Sequence, residues 1–248
     1  MFSLREVAKT YPNATIALES VTAGFEPGEF VALLGPSGCG KSTLLRLLAG
    51  LEEPSAGRIE WDKAARPGPG DIGFVFQDAT LLPWATAADN VYLPLRLRGR
   101  TRDEAAPLVT AALAQVGLSD FAQVKPRGLS GGMRMRVSIA RALVSDPMLL
   151  LMDEPFAALD EFTRHKLQDD LHALWRRSGK TIVFVTHSIY EAAYLANRIL
   201  VLSPRPGRVA ADLRPAIPEG PHRRSSGAYT DLVAEITDTF KRVMPEHD

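Results

Sequence analysis

An α/β fold with a mostly parallel core sheet and a helical insertion is predicted for this 248-residue chain, on three observations. An apolar run, Phe30-Val31-Ala32-Leu33-Leu34, leads into the glycine-rich turn Gly35-Pro36-Ser37-Gly38-Cys39-Gly40-Lys41-Ser42 and then into a helical pattern reaching Gly50. A second run, Leu149-Leu150-Leu151-Met152, ends in Asp153-Glu154-Pro155. Continuous apolarity, rather than alternation, is what a parallel strand covered on both faces needs. Between the two, from Asp78 to about Ser145, the strand signal vanishes and helical patterns replace it.

The elements follow in order. Up to about residue 76 short strands and turns alternate, and Gly50 stands where a helix C-terminal glycine is expected. Pro67-Gly68-Pro69-Gly70 is a surface loop before the apolar run Ile72-Gly73-Phe74-Val75-Phe76. A helix is predicted over Arg102 to Val116, stopping at Gly117, and another from Arg134 to a stop at Asp146-Pro147. The sheet resumes at Leu149, Thr181 and Ile199, with helices between. Beyond Ser203 come several prolines, the basic turn His222-Arg223-Arg224 and a closing helix from about Tyr229.

Composition sets limits. Hydrophobic residues make up 46% of the chain, enough for a substantial core. Lys+Arg and Asp+Glu balance at 29 each, so no global field attracts nucleic acid, and none is expected as a partner. No apolar run approaches the ~20 residues of a spanning helix, and Met1-Phe2-Ser3-Leu4-Arg5-Glu6 lacks an apolar signal segment. Cys39 is the sole cysteine, which excludes an intrachain disulfide and fits a reducing compartment. It reads as a small filler beside the turn rather than a redox group.

Residues 35–42 match G-x-x-x-x-G-K-[ST] in the strand, loop, helix context that the pattern requires. Glycines let consecutive backbone N–H groups converge on one anion, and the helix aims its positive end at the same point. Lys41 is placed to bridge the β- and γ-phosphates of a nucleoside triphosphate, and the Ser42 hydroxyl to ligate Mg²⁺. Alone, Asp153-Glu154-Pro155 could be an ordinary turn. Beside a phosphate loop, Asp153 can reach Mg²⁺ directly or through water, and Glu154 can orient or deprotonate the attacking water. Leu129-Ser130-Gly131-Gly132-Met133 opens a helix, either as a second anion site with a hydroxyl and free N–H groups or as a plain serine cap.

With these landmarks in order from about residue 4 to about residue 210, the chain resembles the ATP-binding cassette (ABC) family, whose signature is Leu-Ser-Gly-Gly-Gln. The resemblance implies a P-loop NTPase cassette with a mostly parallel core sheet, an N-terminal antiparallel β part and an inserted α-helical lobe. It implies one cassette over 1–248, with a core (1–77 and 146–210), a helical lobe (78–145) and a C-terminal tail (211–248). Tyr11 falls where the family puts an aromatic against adenine. The phosphate contacts fall on Gly35, Pro36, Ser37, Gly38, Cys39, Gly40, Lys41, Ser42 and Thr43. Gln77 matches the Q-loop glutamine, which joins Ser42 and Asp153 around Mg²⁺, and Asp160 in Ala157-Ala158-Leu159-Asp160 matches the D-loop. His187 matches the switch histidine that contacts the γ-phosphate, so Glu154, His187 and Gln77 form the catalytic set.

Ser130, Gly131 and Gly132 would meet the partner's ATP in a head-to-tail homodimer that sandwiches two nucleotides. Met133 departs from the signature glutamine and Ala157 from a common serine or glycine, and neither position contributes a phosphate contact in the family.

A narrower resemblance rests on Gln77-Asp78-Ala79-Thr80-Leu81-Leu82-Pro83-Trp84, Asp89-Asn90-Val91 and Ser203-Pro204-Arg205-Pro206-Gly207-Arg208, which are similar to the nitrate/sulfonate/taurine importer branch. It implies ATP hydrolysis coupled to integral membrane permease subunits at the cytoplasmic face of the inner membrane. An extracytoplasmic solute-binding protein is then an indirect partner. The apolar cluster Leu81, Leu82, Pro83 and Trp84 is either local packing or a docking surface for a short helix of a membrane subunit. A soluble cassette ATPase acting on nucleic acid or ribosomes is the alternative, but no second cassette, coiled-coil insertion or basic surface accompanies it. A phosphotransferase would leave Ser130-Gly131-Gly132 without a role. His165 and His172 read as surface or packing residues, since no further ligands accompany them.

Overall fold

The structure, a computed structural model, describes residues 1–62, 67–68, 70–215 and 223–244. Pro69 of the expected loop, His222 of the basic turn and His247 lie outside the described residues. The chain forms two compact units, Met1–Arg66 with Thr181–Asp248, and Pro67–Lys180.

In the first unit, β1 (Phe2–Thr10) pairs antiparallel with both β2 (Ile16–Phe25) and β4 (Ala56–Trp61). Phe2 lies opposite Phe25 and Trp61 in register, and its ring stacks on Phe25 at 4.4 Å. This is the N-terminal antiparallel part. The core strands β3 (Phe30–Leu34), β7 (Thr181–Thr186) and β8 (Arg198–Leu202) are buried at every residue. Strand β3 lies parallel to β7 and to β8, and β9 (Val209–Leu213) adds to β8 antiparallel. Helix α6 (Ile189–Leu195) packs on β3 and on the closing helix α7 (Gly227–Val243). Helix α1 (Lys41–Leu48) ends in a Schellman motif, with Leu51 N–H donating to the Arg46 carbonyl and Gly50 N–H to that of Leu47. Gly50 sits at φ 67 there, the left-handed conformation that this turn demands.

The second unit carries the helical insertion. Strand β5 (Ile72–Val75) pairs parallel with β6 (Leu149–Asp153). Between them come α2 (Ala87–Leu97), α3 (Arg102–Gln115) and α4 (Gly131–Leu143), and α5 (Glu161–Ser178) follows β6. Each starts on a side-chain cap. Thr101 and Glu104 form a full capping box for α3, whose end at Gly117 (φ 68) falls where the sequence expects it. Helix α4 ends at Leu143, short of Asp146-Pro147, because Asp146 itself turns left-handed at φ 52 and pairs with Lys180.

Candidate functional site

The phosphate loop leaves the C-terminal end of the buried strand β3. Gly38 (φ 76) and Gly40 (φ 103) take conformations that side chains rarely adopt, and Gly40 leads into α1 with no side-chain cap. Gly35 is buried, and a Cβ there would lie 2.8 Å from Cys39 Sγ and 3.1 Å from the Leu202 carbonyl oxygen. The loop thus closes on itself only with glycine at its base. Lys41 is 4% exposed, and its Nζ donates to the carbonyls of Gly35 and Pro36 at 2.8 Å each. An ammonium has three donors, and the third faces only the Cys39 sulfur at 4.0 Å, a weak acceptor that a phosphate oxygen can replace. Cys39 is fully buried, and burial raises its thiol pKa, which fits filling rather than redox chemistry.

Tyr11 and Thr43 are joined through their hydroxyls at 3.1 Å, tying the residue expected at adenine to the first turn of α1. Lys9 lies over the Tyr11 ring, 5.4 Å from its centre, and also pairs with Glu52. At the end of β7, exposed His187 follows Thr186, whose hydroxyl donates to Glu191 at 2.6 Å and accepts from Ser188 N–H at 2.9 Å. Ser188 in turn caps α6. The backbone on both sides of His187 is therefore fixed by buried or half-buried polar bonds. Gly207, in the turn between β8 and β9, exchanges backbone bonds with Ala17 and Glu19 and touches the phosphate loop so closely that a Cβ would strike the Cys39 carbonyl. Sequence reasoning assigned Gly207 no part in the loop. It entered only as part of the Ser203–Arg208 branch motif, in which nothing signals contact with the loop.

The carboxylates belong to the second unit. Val75 stands beside Met152 in the parallel register, so Gln77 and the pair Asp153-Glu154 leave neighbouring strands at the same end. Gln77 is exposed, while Asp153 and Glu154 are half-buried. Glu154 has φ 44, an outlier for a non-glycine residue, at the start of a turn closed by Ala157 N–H on the Glu154 carbonyl. Backbone strain of this kind clusters at sites of chemistry.

Ser130 caps α4, its Oγ accepting from Met133 N–H at 3.2 Å, so the plain cap expected from sequence is present. Ser130 and Gly131 are exposed. Gly132 is buried, and a Cβ there would collide with the Thr163 methyl of α5. Asp160 caps α5 by accepting from Thr163 N–H at 2.9 Å, a bond that lowers its pKa and keeps it anionic. The Ser130–Gly132 turn and Asp160 are thus braced against the same first turn of α5.

The loop after Gln77 is held from within. Asn90 is fully buried and bonds Leu82 N–H (2.8 Å) and the carbonyls of Leu82, Ala85 and Thr86. Leu81 and Leu82 are half-buried, whereas Pro83 and Trp84 are exposed, Trp84 to 70%. A groove of about 330 Å³ is lined by Phe74, Phe76, Thr80, Leu93, Pro94 and Leu97, and Leu97 is itself 79% exposed. His172 packs against Trp175 within α5, consistent with a packing role.

The donor set of the loop (an anchored ammonium, the hydroxyls of Ser42 and Thr43 and an uncapped helix start) fits a triphosphate with its Mg²⁺. A family model described as ABC transporter matches residues 18–157. An uncharacterized ABC transporter ATP-binding protein of Methanocaldococcus jannaschii is 42% identical over 240 residues, 96% of this chain and 90% of that protein. A taurine import ATP-binding protein of Burkholderia pseudomallei is 49% identical over 200 residues, 80% of this chain and 77% of that protein. An aliphatic sulfonates import ATP-binding protein of Cupriavidus necator is 45% identical over 249 residues, 98% of this chain and 78% of that protein. Among solved structures, the dimeric post-hydrolysis state of the ATP-binding cassette MJ0796 bound to ADP and Pi is similar with a TM-score of 0.75 and 36% identity. That match covers 86% of this chain and 98% of the other.

Proposed function

This chain belongs to the ABC transporter family and is an ATPase coupled to transport, and on that premise we propose that it energises uptake of taurine or a closely related sulfonate. The observation that carries the solute class is the likeness at 45–49% identity to proteins named for taurine and aliphatic sulfonate import. The exact solute is recognised elsewhere, in an extracytoplasmic binding protein and the membrane subunits. Deleting the gene should abolish growth on taurine or on alkanesulfonates as sole sulfur source and spare growth on sulfate. Normal growth on every sulfonate tested would overturn the solute class.

In this reading the loop residues from Gly35 to Thr43 hold the phosphates, with Lys41 on the β- and γ-phosphoryl oxygens and Tyr11 on the base. Ser42, Asp153 and Gln77 would hold Mg²⁺, which would neutralise charge on the phosphates. Glu154 takes the proton of the attacking water and His187 orients the γ-phosphate. Ser130, Gly131 and Gly132 complete the site of a second copy, with Asp160 at the boundary, so two chains arranged head to tail hold two nucleotides. A dimeric neighbour bound to ADP and Pi supports this arrangement. Residues 78–145 act as the helical lobe, 1–77 and 146–210 as the core and 211–248 as a tail.

The chain sits peripherally on the cytoplasmic face of the inner membrane, held there by permease subunits. No described helix is long and apolar enough to cross a membrane. The exposed Trp84 and the groove of Phe76, Leu93 and Leu97 support docking of a short permease helix, because an apolar surface rimmed by polar residues marks partner contact. Replacing Leu82 and Trp84 with serine should leave basal ATPase activity within about twofold and remove most co-purification with the permease. Unfolding of this variant in a thermal melt would instead make the cluster part of the core.

A further inference from the structure

Three arginines of α4 each reach a different segment of the second unit. Arg134 donates to the Leu129 carbonyl just before the helix, at 2.8 Å. Arg136 donates to the Val116 carbonyl at the end of α3 (2.9 Å) and pairs with Asp170 of α5 (2.8 Å). Arg141, in the last turn, reaches the loop after Gln77. Its Nη1 donates to the Thr80 carbonyl at 2.9 Å, and its Nη2 to the Ala79 carbonyl at 2.9 Å and to Thr80 Oγ1 at 3.0 Å. Buried Ser138, one turn back, lies 3.4 Å from the same Nη2.

This contact has two unusual features. Thr80 sits at φ 43, and a β-branched residue in the left-handed region is held there by its surroundings rather than by preference. The three acceptors converge on one planar fork, whose two nitrogens reach them from fixed positions, a geometry that the single nitrogen of lysine lacks. Gln77 lies two residues before Ala79, and the Asn90-pinned segment begins two residues after Thr80. Arg141 is therefore the only contact among those described above that ties this stretch of backbone to α4.

We propose that Arg141 is a positioning residue for ATP hydrolysis, clamping the Ala79-Thr80 backbone to α4 so that Gln77 and the Ser130 end of that helix move as one piece. It touches no nucleotide and acts through Gln77. The proposal rests on the reading that Gln77 and Ser130 serve the ATP sites, and the test separates the two.

Steady-state ATPase assays and thermal melts would compare Arg141→Ala, Arg141→Lys, Thr80→Gly and the double variant Arg141→Ala/Thr80→Gly. Arg141→Ala should lower kcat about tenfold with KM for ATP within about twofold, and Arg141→Lys should fall between it and the parent. Thr80→Gly alone keeps both clamped carbonyls and should stay near the parent. In the double variant glycine relieves the turn but cannot restore the link to α4, so kcat should stay within about twofold of Arg141→Ala while the melting temperature rises toward that of the parent. If kcat recovers in step with the melting temperature in the double variant, Arg141 merely supports the fold and the proposal is wrong. Should Arg141→Ala fail to fold, Arg141→Lys with and without Thr80→Gly decides the same question. Gln77→Ala and Ser130→Arg in the same assay report on the underlying reading. Parent-like turnover in both would overturn that reading, while their inactivity beside a fully active Arg141→Ala would overturn the clamp alone.

Discussion

Glu154→Gln is expected to keep ATP binding and to lose hydrolysis by a factor on the order of 10² to 10⁴, the range of a removed general base. The amide is isosteric, so it preserves the turn at the end of β6 and the closure by Ala157 on the Glu154 carbonyl. What it cannot do is accept a proton from water. The neighbouring carboxylate should behave differently. Asp153 ends the same strand, and Asp153→Asn should weaken Mg²⁺-dependent nucleotide binding as well as turnover, because it removes charge where the metal would sit. Measuring the ATP dissociation constant with and without Mg²⁺, alongside kcat, distinguishes the two variants. Turnover near that of the parent in Glu154→Gln would take Glu154 out of the base role. The left-handed backbone at Glu154 bears on this, since a residue held at φ 44 has its side chain aimed by the chain rather than by its own preference. Its replacement by glutamine leaves that aim unchanged, and the experiment therefore isolates proton transfer from geometry.

Local chemistry is what made most of the fold legible. The phosphate loop announces itself because its strand, glycines and helix are contiguous, and α3 because Thr101, Glu104 and Gly117 are the residues that its two ends need. Buried strands β6, β7 and β8 could be read from unbroken apolar runs. Devices that depend on distant partners were not legible. Arg141 meets Thr80 across 61 positions of sequence, and nothing in Ile139-Ala140-Arg141-Ala142 says that the guanidinium points at a loop. Arg198 is buried, bidentate to Asp212 and bonded to Glu29, a network built from β8, β9 and the turn before β3 that no motif encodes. Asn90 was visible only as part of a branch motif, and its four bonds to the loop after Gln77 explain why a buried amide is tolerated at that position. For Ser130, sequence left two readings open, a cap or an anion site, and the structure contains the cap. The two are compatible, since the Oγ that accepts from Met133 N–H keeps its own hydrogen to donate.

That compatibility makes the trans arrangement testable. Lys41→Ala removes the ammonium that its own loop anchors through Gly35 and Pro36, and Ser130→Arg fills the exposed start of α4 with a bulky side chain. Each variant alone should be inactive as a homodimer, with activity down by on the order of 10²-fold or more, because every site then lacks one required group. Mixing the two variants separates the geometries. If Ser130 served the ATP of its own chain, each site of the mixed dimer would carry one defect and activity would stay at background. If Ser130 serves the ATP of the partner, one site carries both defects. The other combines an intact Lys41 from one chain with an intact Ser130 from the other. Statistical pairing makes half of the dimers mixed at equal input, each with one sound site, so about a quarter of the parent activity should return if sites turn over independently. ATPase assays across a titration of one variant against the other would show a maximum near equal amounts. A flat line at background, with mixed dimers verified by differential tags and ATP retained at the sound site, would count against hydrolysis by a single trans site. Activity in either homodimer alone would contradict the role given to that residue.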